Sequence, residues 1–393
     1  MGLRKTLRRF VQNQRRKSAH LTDFSFSPFI WLLDRPPTGN LAVATTDEGW
    51  ADDRALVQRV MKAYQRANED FVPSDSFWDR SILKINHDIH EALMSEDEDA
   101  AASKLCCPID NSHFWGFDSI AKAPKGATEP HQHFLEQLDP GGDWREQFSL
   151  LTQDKLVTLA DVTGARKLNN PESPRKHKHE SADEVLDKIE QVLGFTLDFP
   201  NPYAGEFGLQ TSRGIVSYRS LQALYQAWRI AKIAAGKEDF KVLEIGAGLG
   251  RTAFFANRLG IKNYSVIDIP MTGAAQGYFL GLTLGEENIN LWGENTAGSV
   301  NVLPASALDS LTPDYDLIVN VDSITEMAED SMNGYWQFIL KATPLFMSIN
   351  HNENERSVSD LYAGNSRLQV SRYPYWMRRG YVEEYIRIGQ PDA

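Results

Sequence analysis

The stretch "FKVLEIGAGLGRTAFFANRLGIKNYSVIDIP", residues 240–270, constrains the fold more than any other. "KVLEIG" reads as a buried strand, "GRTAFFANRLG" as a helix and "YSVIDIP" as a second strand. Between the first strand and the helix stand Gly246, Gly248 and Gly250, spaced G-x-G-x-G. A glycine turn in a strand–turn–helix–strand unit lets backbone pass close to a nucleotide-like cofactor.

The same alternation runs through the rest of the C-terminal half. "SYRSLQALYQAWRIAKIAAGK" predicts a helix that Ser217 caps, with Leu221, Leu224, Tyr225 and Trp228 on one face and Gly236 at its end. After the second strand come a helix in "GAAQGYFLGLTLG", strands in "VNVLPAS" and "DLIVNVDS", a helix in "SMNGYWQFILKAT" and a strand in "PLFMSIN". "GYVEEYIRI" alternates like one more strand. Strands separated by helices predict a parallel sheet covered on both faces, with ligands beyond the carboxyl ends of the strands.

Upstream the texture differs. At 393 residues the chain is long enough for about two domains. "DRALVQRVMKAYQRANEDF" has helical periodicity, with Leu56, Val60, Met61 and Tyr64 on one face. "ARKLNNPESPRKHKHESADE", 165–184, has almost no apolar residue and reads as a linker or loop. "ADEVLDKIEQVLG" reads as a helix with Gly194 as C-cap, and "PNPYAGEFGLQTSRG" as a turn-rich segment. The expected organisation is a basic tail over residues 1–20, a mainly helical region over 21–200 that caps the site, and an α/β domain over 201–393.

The formal charge of −12 argues against nucleic acid as a partner. The two cysteines, Cys106 and Cys107, are adjacent and give no disulfide framework, so a cytoplasmic protein is expected. No apolar run is long enough to span a membrane, and no signal peptide is read. "MGLRKTLRRFVQNQRRKSAH" is basic, with Leu3, Leu7, Phe10 and Val11 at helical spacing. It is either a solvated tail or a helix lying on the inner face of an anionic membrane. The pairs His131/His133 and His177/His179 sit in polar segments and read as surface histidines rather than a zinc site. The oligomeric state is open.

The turn itself selects among cofactors. A dinucleotide fingerprint needs its third glycine one place later, where this chain has Arg251. Glu244, two residues before the first glycine, is a poor neighbour for a pyrophosphate and a good one for a cation. S-adenosylmethionine carries a sulfonium and an amino group and asks for no phosphate cradle. Asp268 ends the second strand, where an acid accepts hydrogen bonds from ribose hydroxyls. The expected cofactor site is Glu244, Gly246, Ala247, Gly248, Gly250, Asp268, Ile269 and Asn320, with Arg219 closing over the methionine end. The alternatives are a nicotinamide or flavin cofactor, or a glycine turn without a ligand.

"VLEIGAGLGRTAFFANRLGI", "VIDIPMT", "DLIVNVDSITEM", "MSINHN" and "RYPYWMRRGYVEEY" together resemble sugar O-methyltransferases associated with bacterial surface polysaccharides and glycosylated natural products. The resemblance covers roughly residues 200–393. It implies a class I methyltransferase fold, a Rossmann-like α/β sandwich, and a sugar hydroxyl as methyl acceptor. The acceptor would be a saccharide, a nucleotide sugar or a lipid-linked glycan. The resemblance also implies an acid after "NH"; this chain has Asn352 there, with Glu353 next.

Methyl transfer needs in-line alignment and removal of the hydroxyl proton from a very weak acid. His351 directly follows a strand and is the expected general base. Asp322 and Glu326, one helical turn apart after another strand, would orient it or bind sugar hydroxyls. The rival is a divalent cation such as Mg²⁺ on the same three residues, which is not favoured. Tyr375, Trp376, Arg378 and Arg379 combine sugar-stacking rings with anion-binding forks, and Tyr218 is placed beside the acceptor. A non-sugar small-molecule methyltransferase and a non-catalytic scaffold of the same fold remain as alternatives.

Overall fold

The computed structural model describes residues 42–74, 76–118, 120, 122–124, 144–168, 180–295 and 297–389. The basic tail and both histidine pairs lie outside the described residues, as does most of the polar segment at 165–184. The helices are α1 (Arg54–Glu69), α2 (His87–Met94), α3 (Glu98–Cys106), α4 (Trp144–Val162), α5 (Ala182–Leu193), α6 (Tyr218–Ala234), α7 (Arg251–Arg258), α8 (Pro270–Leu284) and α9 (Glu329–Ala342), with shorter turns between them. The strands are β1 (Val43–Thr45), β2 (Phe207–Thr211), β3 (Gly214–Val216), β4 (Lys241–Ile245), β5 (Asn263–Asp268), β6 (Ile289–Asn290), β7 (Val300–Pro304), β8 (Leu317–Val321), β9 (Leu345–Asn350), β10 (Leu368–Pro374) and β11 (Val382–Ile388). Among the described residues no helix is long and apolar enough to cross a membrane.

Two compact units share the chain, each built from several segments. The first takes Met1–Thr45, Ala127–Phe199 and Phe207–Leu221. Its small antiparallel sheet runs β1-β2-β3. The segment read as turn-rich thus holds a strand, and the two-residue link Ser212–Arg213 turns it back on β3. A Cβ on Gly208 would lie 2.1 Å from the Val216 carbonyl, so only glycine lets these strands approach. Helix α5 opens with a capping box between Ser181 and Glu184 and ends on Gly194 at φ 78°. Its acidic face is gathered by the Arg213 guanidinium, which donates to Glu190 at 2.7 Å, to Asp183 at 3.1 Å and to Asp187.

The second unit takes Thr46–Gly126, Pro200–Glu206 and Gln222–Ala393. Its eight-stranded sheet has the order β6-β7-β5-β4-β8-β9-β11-β10. The strands from β6 to β9 are parallel, and β11 alone runs against both of its neighbours. Parallel order reversing at a central strand, with one antiparallel strand slotted in near the edge, is the class I methyltransferase-like α/β fold. Four of the five residues of β4 are buried, as a strand covered on both faces requires. Leu243, Ile245, Ile267 and Ile318 pack with Met332, Trp336 and Ile339 of α9 on one face. Helix α1 joins this unit, capped by Asp53 at Leu56 N–H, with Leu56, Val57, Val60, Met61 and Tyr64 buried.

Strand β10 exceeds what alternation predicts. All but its first residue are exposed, so its sequence carries no core signal, and pairing with β11 from Leu368↔Ile388 to Pro374↔Val382 is what makes it a strand.

Candidate active site

The glycine turn leaves β4 at the point where the sheet order reverses, with β5 on one side and β8 on the other. Gly246, Gly248 and Gly250 all have positive φ, at 69°, 56° and 86°. Each is a conformation that side-chain-bearing residues rarely adopt. Gly246 is doubly fixed, because a Cβ there would sit 2.1 Å from Ser323 Oγ. Its N–H donates to the Ile267 carbonyl at 3.0 Å, and Gly250 caps α7. Gly246, Ala247 and Gly248 are partly open to solvent, while Leu249 and Gly250 are buried.

The two acids read as cofactor ligands have different surroundings. Glu244 is buried, accepting the Tyr264 hydroxyl at 2.8 Å. Burial pushes its carboxyl up to about 8, with the nearby Asp268 adding to the rise and hydrogen bonds from Tyr264 and Thr252 opposing it. Its side chain therefore serves the framework under α7, and burial favours its neutral form. Asp268 lies at the rim of the turn, partly exposed. It accepts from the Ile269 N–H at 2.9 Å and from Gln276 Nε2 at 2.8 Å. Enclosure pushes its carboxyl up to about 7 against those hydrogen bonds. Gln276 also donates to the Gly248 carbonyl at 2.9 Å, tying the acid to the turn.

Asn320, expected at the cofactor, is fully buried beneath the turn. It donates to the Ile245 carbonyl at 2.9 Å and to Ser323 Oγ at 2.6 Å, and accepts from Asn350 Nδ2 at 2.9 Å. All of its polar capacity goes into holding the ends of β4, β8 and β9 together.

Asp322, Glu326 and His351 are brought together beyond β8 and β9, with one ligating atom of each within 4.8 Å of the others. Asp322 has φ 53°, an uncommon backbone for a residue with a side chain. Its carboxylate receives Arg378 Nη1 at 2.9 Å and the Tyr381 hydroxyl at 2.9 Å to each oxygen. His351 Nε2 lies 3.7 Å from Asp322 Oδ1, an ion-pair distance rather than a hydrogen bond. On its other side, the Glu353 N–H donates to His351 Nδ1 at 3.1 Å. A neutral ring that accepts on Nδ1 carries its proton on Nε2 and points it at Asp322. Glu353 thus meets His351 through its backbone and not through its carboxylate.

The three ligating atoms lie close enough for a divalent cation, but part of their capacity is already used. Such an ion needs free oxygen or nitrogen lone pairs converging on one point. Here Asp322 faces the Arg378 cation, Glu326 Oε2 accepts the Trp78 indole N–H, and His351 Nδ1 accepts the Glu353 N–H.

The aromatic and basic residues expected at the acceptor separate on folding. Tyr375 is buried, its hydroxyl accepting from Gln226 at 3.1 Å and its ring set edge-on against Tyr225. It belongs to the framework, and the reading of it as a sugar platform is corrected by its burial. Arg378 is committed to Asp322, and its guanidinium covers the Tyr381 ring at 4.1 Å. It is therefore part of the Asp322 cluster rather than an anion receptor. Trp376 stays 54% exposed, and Arg379 is exposed beside it. Tyr218 and Arg219 belong to the first unit, where the Tyr218 ring packs on Phe148.

Several site residues come from the N-terminal part and carry no local signal. Trp78 donates to Glu326, and its ring lies where a Cβ on Gly116 would touch it at 2.7 Å. Phe117 lies over Gly248, 3.8 Å from where a Cβ would stand. The same segment is pinned by Arg251, which donates to Asp118 at 3.1 Å and to Glu206 at 3.2 Å in a buried cluster. Burial holds Glu206 above the usual carboxylate range. His113 adds a bond to the Met271 carbonyl at 2.9 Å, and its burial lowers the imidazole to about 4. Arg251, which excludes a dinucleotide fingerprint, is the one hint in the sequence that this turn carries a clamp.

No protein-family model matches the chain, and no curated protein matches its sequence. Several solved structures match over less than half of it. The mitomycin 7-O-methyltransferase MmcR is 14% identical over 44% of this chain and 57% of its own, with a TM-score of 0.31. An O-methyltransferase family protein from Burkholderia thailandensis is 8% identical over 43% and 58%, with a TM-score of 0.31. The glycopeptide N-methyltransferase MtfA, complexed with S-adenosyl-L-homocysteine, is 13% identical over 42% and 88%, with a TM-score of 0.32. The match thus spans less than two thirds of the first two proteins. At these scores the fold stands on the strand order.

Proposed function

We propose that the chain is an S-adenosylmethionine-dependent O-methyltransferase acting on a sugar hydroxyl. One observation carries the reading: an open glycine turn and an Asp–His pair occupy the carboxyl ends of adjacent strands in one unit. The first can hold a cofactor; the second can take a proton from an acceptor beside it.

The residues fit the cofactor. Gly246, Ala247 and Gly248 offer partly open backbone, and Asp268 stands at the rim where ribose hydroxyls would donate. When bound, S-adenosylmethionine supplies an electrophilic methyl on a sulfonium leaving group. Everything else is the work of side chains. His351 has one lone pair, on Nδ1, and the Glu353 N–H occupies it. Release of that contact frees Nδ1 to accept the hydroxyl proton, while Asp322 faces Nε2–H and stabilises the imidazolium. Phe117 stands beside Gly248 and Trp78 donates to Glu326, so both line the edge of the site. Exposed Trp376 supports a carbohydrate acceptor, because an aromatic face stacks on a sugar ring.

The test is transfer of labelled methyl from S-adenosylmethionine to a panel of methyl glycosides, nucleotide sugars and lipid-linked glycans, with amines as controls. Label in a base-stable ether on a sugar is the expected result. Label on nitrogen would overturn the O-methyl reading. S-adenosylhomocysteine binding with no transfer to any of the panel would overturn the sugar reading.

A further inference from the structure

We propose that the fold holds Cys106 and Cys107 as a two-sulfur capture site for trivalent arsenicals, in which one arsenic atom bridges the adjacent sulfurs. The site lies at the end of α3 and shares no residue with the glycine turn or the Asp322–His351 pair. It therefore stands whether or not the chain transfers methyl groups.

Cys106 is the last residue of α3 and Cys107 is its C-cap. Both thiols are free and half-buried, and their sulfurs stand 3.2 Å apart. The backbone around the pair is held. The Cys107 carbonyl accepts the Asp110 N–H at 3.0 Å and Asn111 Nδ2 at 2.9 Å. The same Asn111 nitrogen donates to the Lys104 carbonyl at 3.0 Å. One side-chain amide thus ties the last turn of α3 to the turn that follows, with Cys106 between its two anchors.

The spacing selects what the pair can hold. A disulfide needs its sulfurs at about 2.05 Å and its Cα atoms roughly 4.4–6.8 Å apart, whereas a trans peptide keeps adjacent Cα atoms at about 3.8 Å. Ring closure would therefore pull against the anchored carbonyls. A single bridging atom needs no such movement. Zinc, with Zn–S bonds of about 2.3 Å at a tetrahedral angle, would spread the sulfurs to about 3.8 Å. Bonds of about that length to sulfurs 3.2 Å apart meet at roughly 90° instead. A near-right angle suits trivalent arsenic, which makes three bonds and keeps a lone pair. Zinc also asks for further ligands, and among the described residues the cysteines belong to no group of three or more metal-ligating side chains. Arsenic needs only the two sulfurs, its third bond going to carbon or oxygen.

The step is a condensation without change of oxidation state. An arylarsine oxide gives up its oxygen, which leaves as water with the two thiol protons. Two As–S bonds form, and arsenic stays trivalent. The product is uncharged, which suits half-buried sulfurs, whereas zinc would take both as thiolates.

The test titrates reduced full-length protein with phenylarsine oxide and reads intact mass and free thiols. The expected product is a single phenylarsenic adduct that consumes both thiols, resists glutathione and is stripped by 2,3-dimercaptopropanol. Cys106→Ser and Cys107→Ser each leave one sulfur and should bind the probe about a hundredfold more weakly. Asn111→Ala frees the Cys107 carbonyl but keeps both thiols, and should weaken capture about fivefold. No adduct, an adduct displaced by glutathione, or one held equally well by a single-serine variant would overturn the proposal. So would tighter retention of zinc than of the arsenical, or a chain isolated with its two sulfurs already joined as a disulfide. Full affinity in Asn111→Ala would assign capture to sequence adjacency and remove the fold from it. None of these readings needs a cofactor or an acceptor, so the outcome is separate from that of the methyl-transfer assay.

Discussion

Two pairs of acids flank the same strand ends, and they are built in opposite ways. Glu244 and Asp268 lie in and beside the sheet with no cation against them among the described residues, and burial pushes both carboxyls up. Asp322 and Glu326 stand further out, with Arg378, Tyr381 and the Trp78 indole donating to their carboxylates. The first pair is held by hydrogen bonds within the framework and stores desolvation cost; the second is held by partners from distant segments. An acid at a strand end therefore does not announce its protonation state. Its neighbours decide that.

The largest effect should come from breaking the turn that separates the pairs. Gly246→Ala forces a Cβ onto Ser323 at an unfavourable φ and should cost on the order of 3 kcal/mol, read as a lower Tm and lost S-adenosylhomocysteine binding. Normal melting and binding would show that the turn yields.

Asp268→Ala tests the inner pair as a cofactor site. Titration with S-adenosylhomocysteine should show affinity reduced about a hundredfold, since two ribose hydroxyls lose an acceptor. Retained affinity would move the ribose elsewhere. On the outer pair, Asp322→Asn should slow methyl transfer about tenfold or more and leave cofactor affinity nearly untouched. A change in affinity instead of rate would place Asp322 with the cofactor.

The pH dependence sharpens the contrast. Because Glu244 is raised from the ordinary carboxylate range to about 8, its contribution to stability is complete at pH values below that range and is lost as pH rises toward 8. Asp268, raised to about 7, acts in the same direction. His113, lowered to about 4, acts oppositely, its contribution being complete above the ordinary imidazole value and lost on acidification. The unliganded protein should thus lose about 4 kcal/mol between pH 5 and pH 8, and Glu244→Gln should flatten much of that slope in thermal melts. An equal slope in the variant would mean that Glu244 is ionised inside the fold. The smallest effect belongs to the rim: Trp376→Ala should raise acceptor KM about threefold without changing kcat.

Much of this was legible in the chain. The glycine spacing, the strand–helix alternation after residue 216 and the caps at Ser217, Gly194 and Gly236 are local features, and each stands where its chemistry put it. Asp322, Glu326 and His351 could be grouped because the parallel order of β8 and β9 follows from alternation. What alternation could not reach is anything set by long-range partners. Trp78 meets Glu326 across 248 positions, and Arg251 meets Asp118 across 133. Tyr375 and Trp376 are neighbours in sequence with equal claims to a sugar; one is buried against Tyr225 and the other faces solvent.

The sequence by itself determined the backbone of the turn, because three glycines at positive φ follow from the absence of a Cβ, and it determined the order of strands and helices, because periodicity is a local property. Only the tertiary structure decided what the charged groups do. It buried Glu244 against Tyr264, gave Arg378 to Asp322, and set the Glu353 N–H against His351 Nδ1. Charge state and tautomer depend on burial and on the nearest partner, and those are properties of space rather than of sequence.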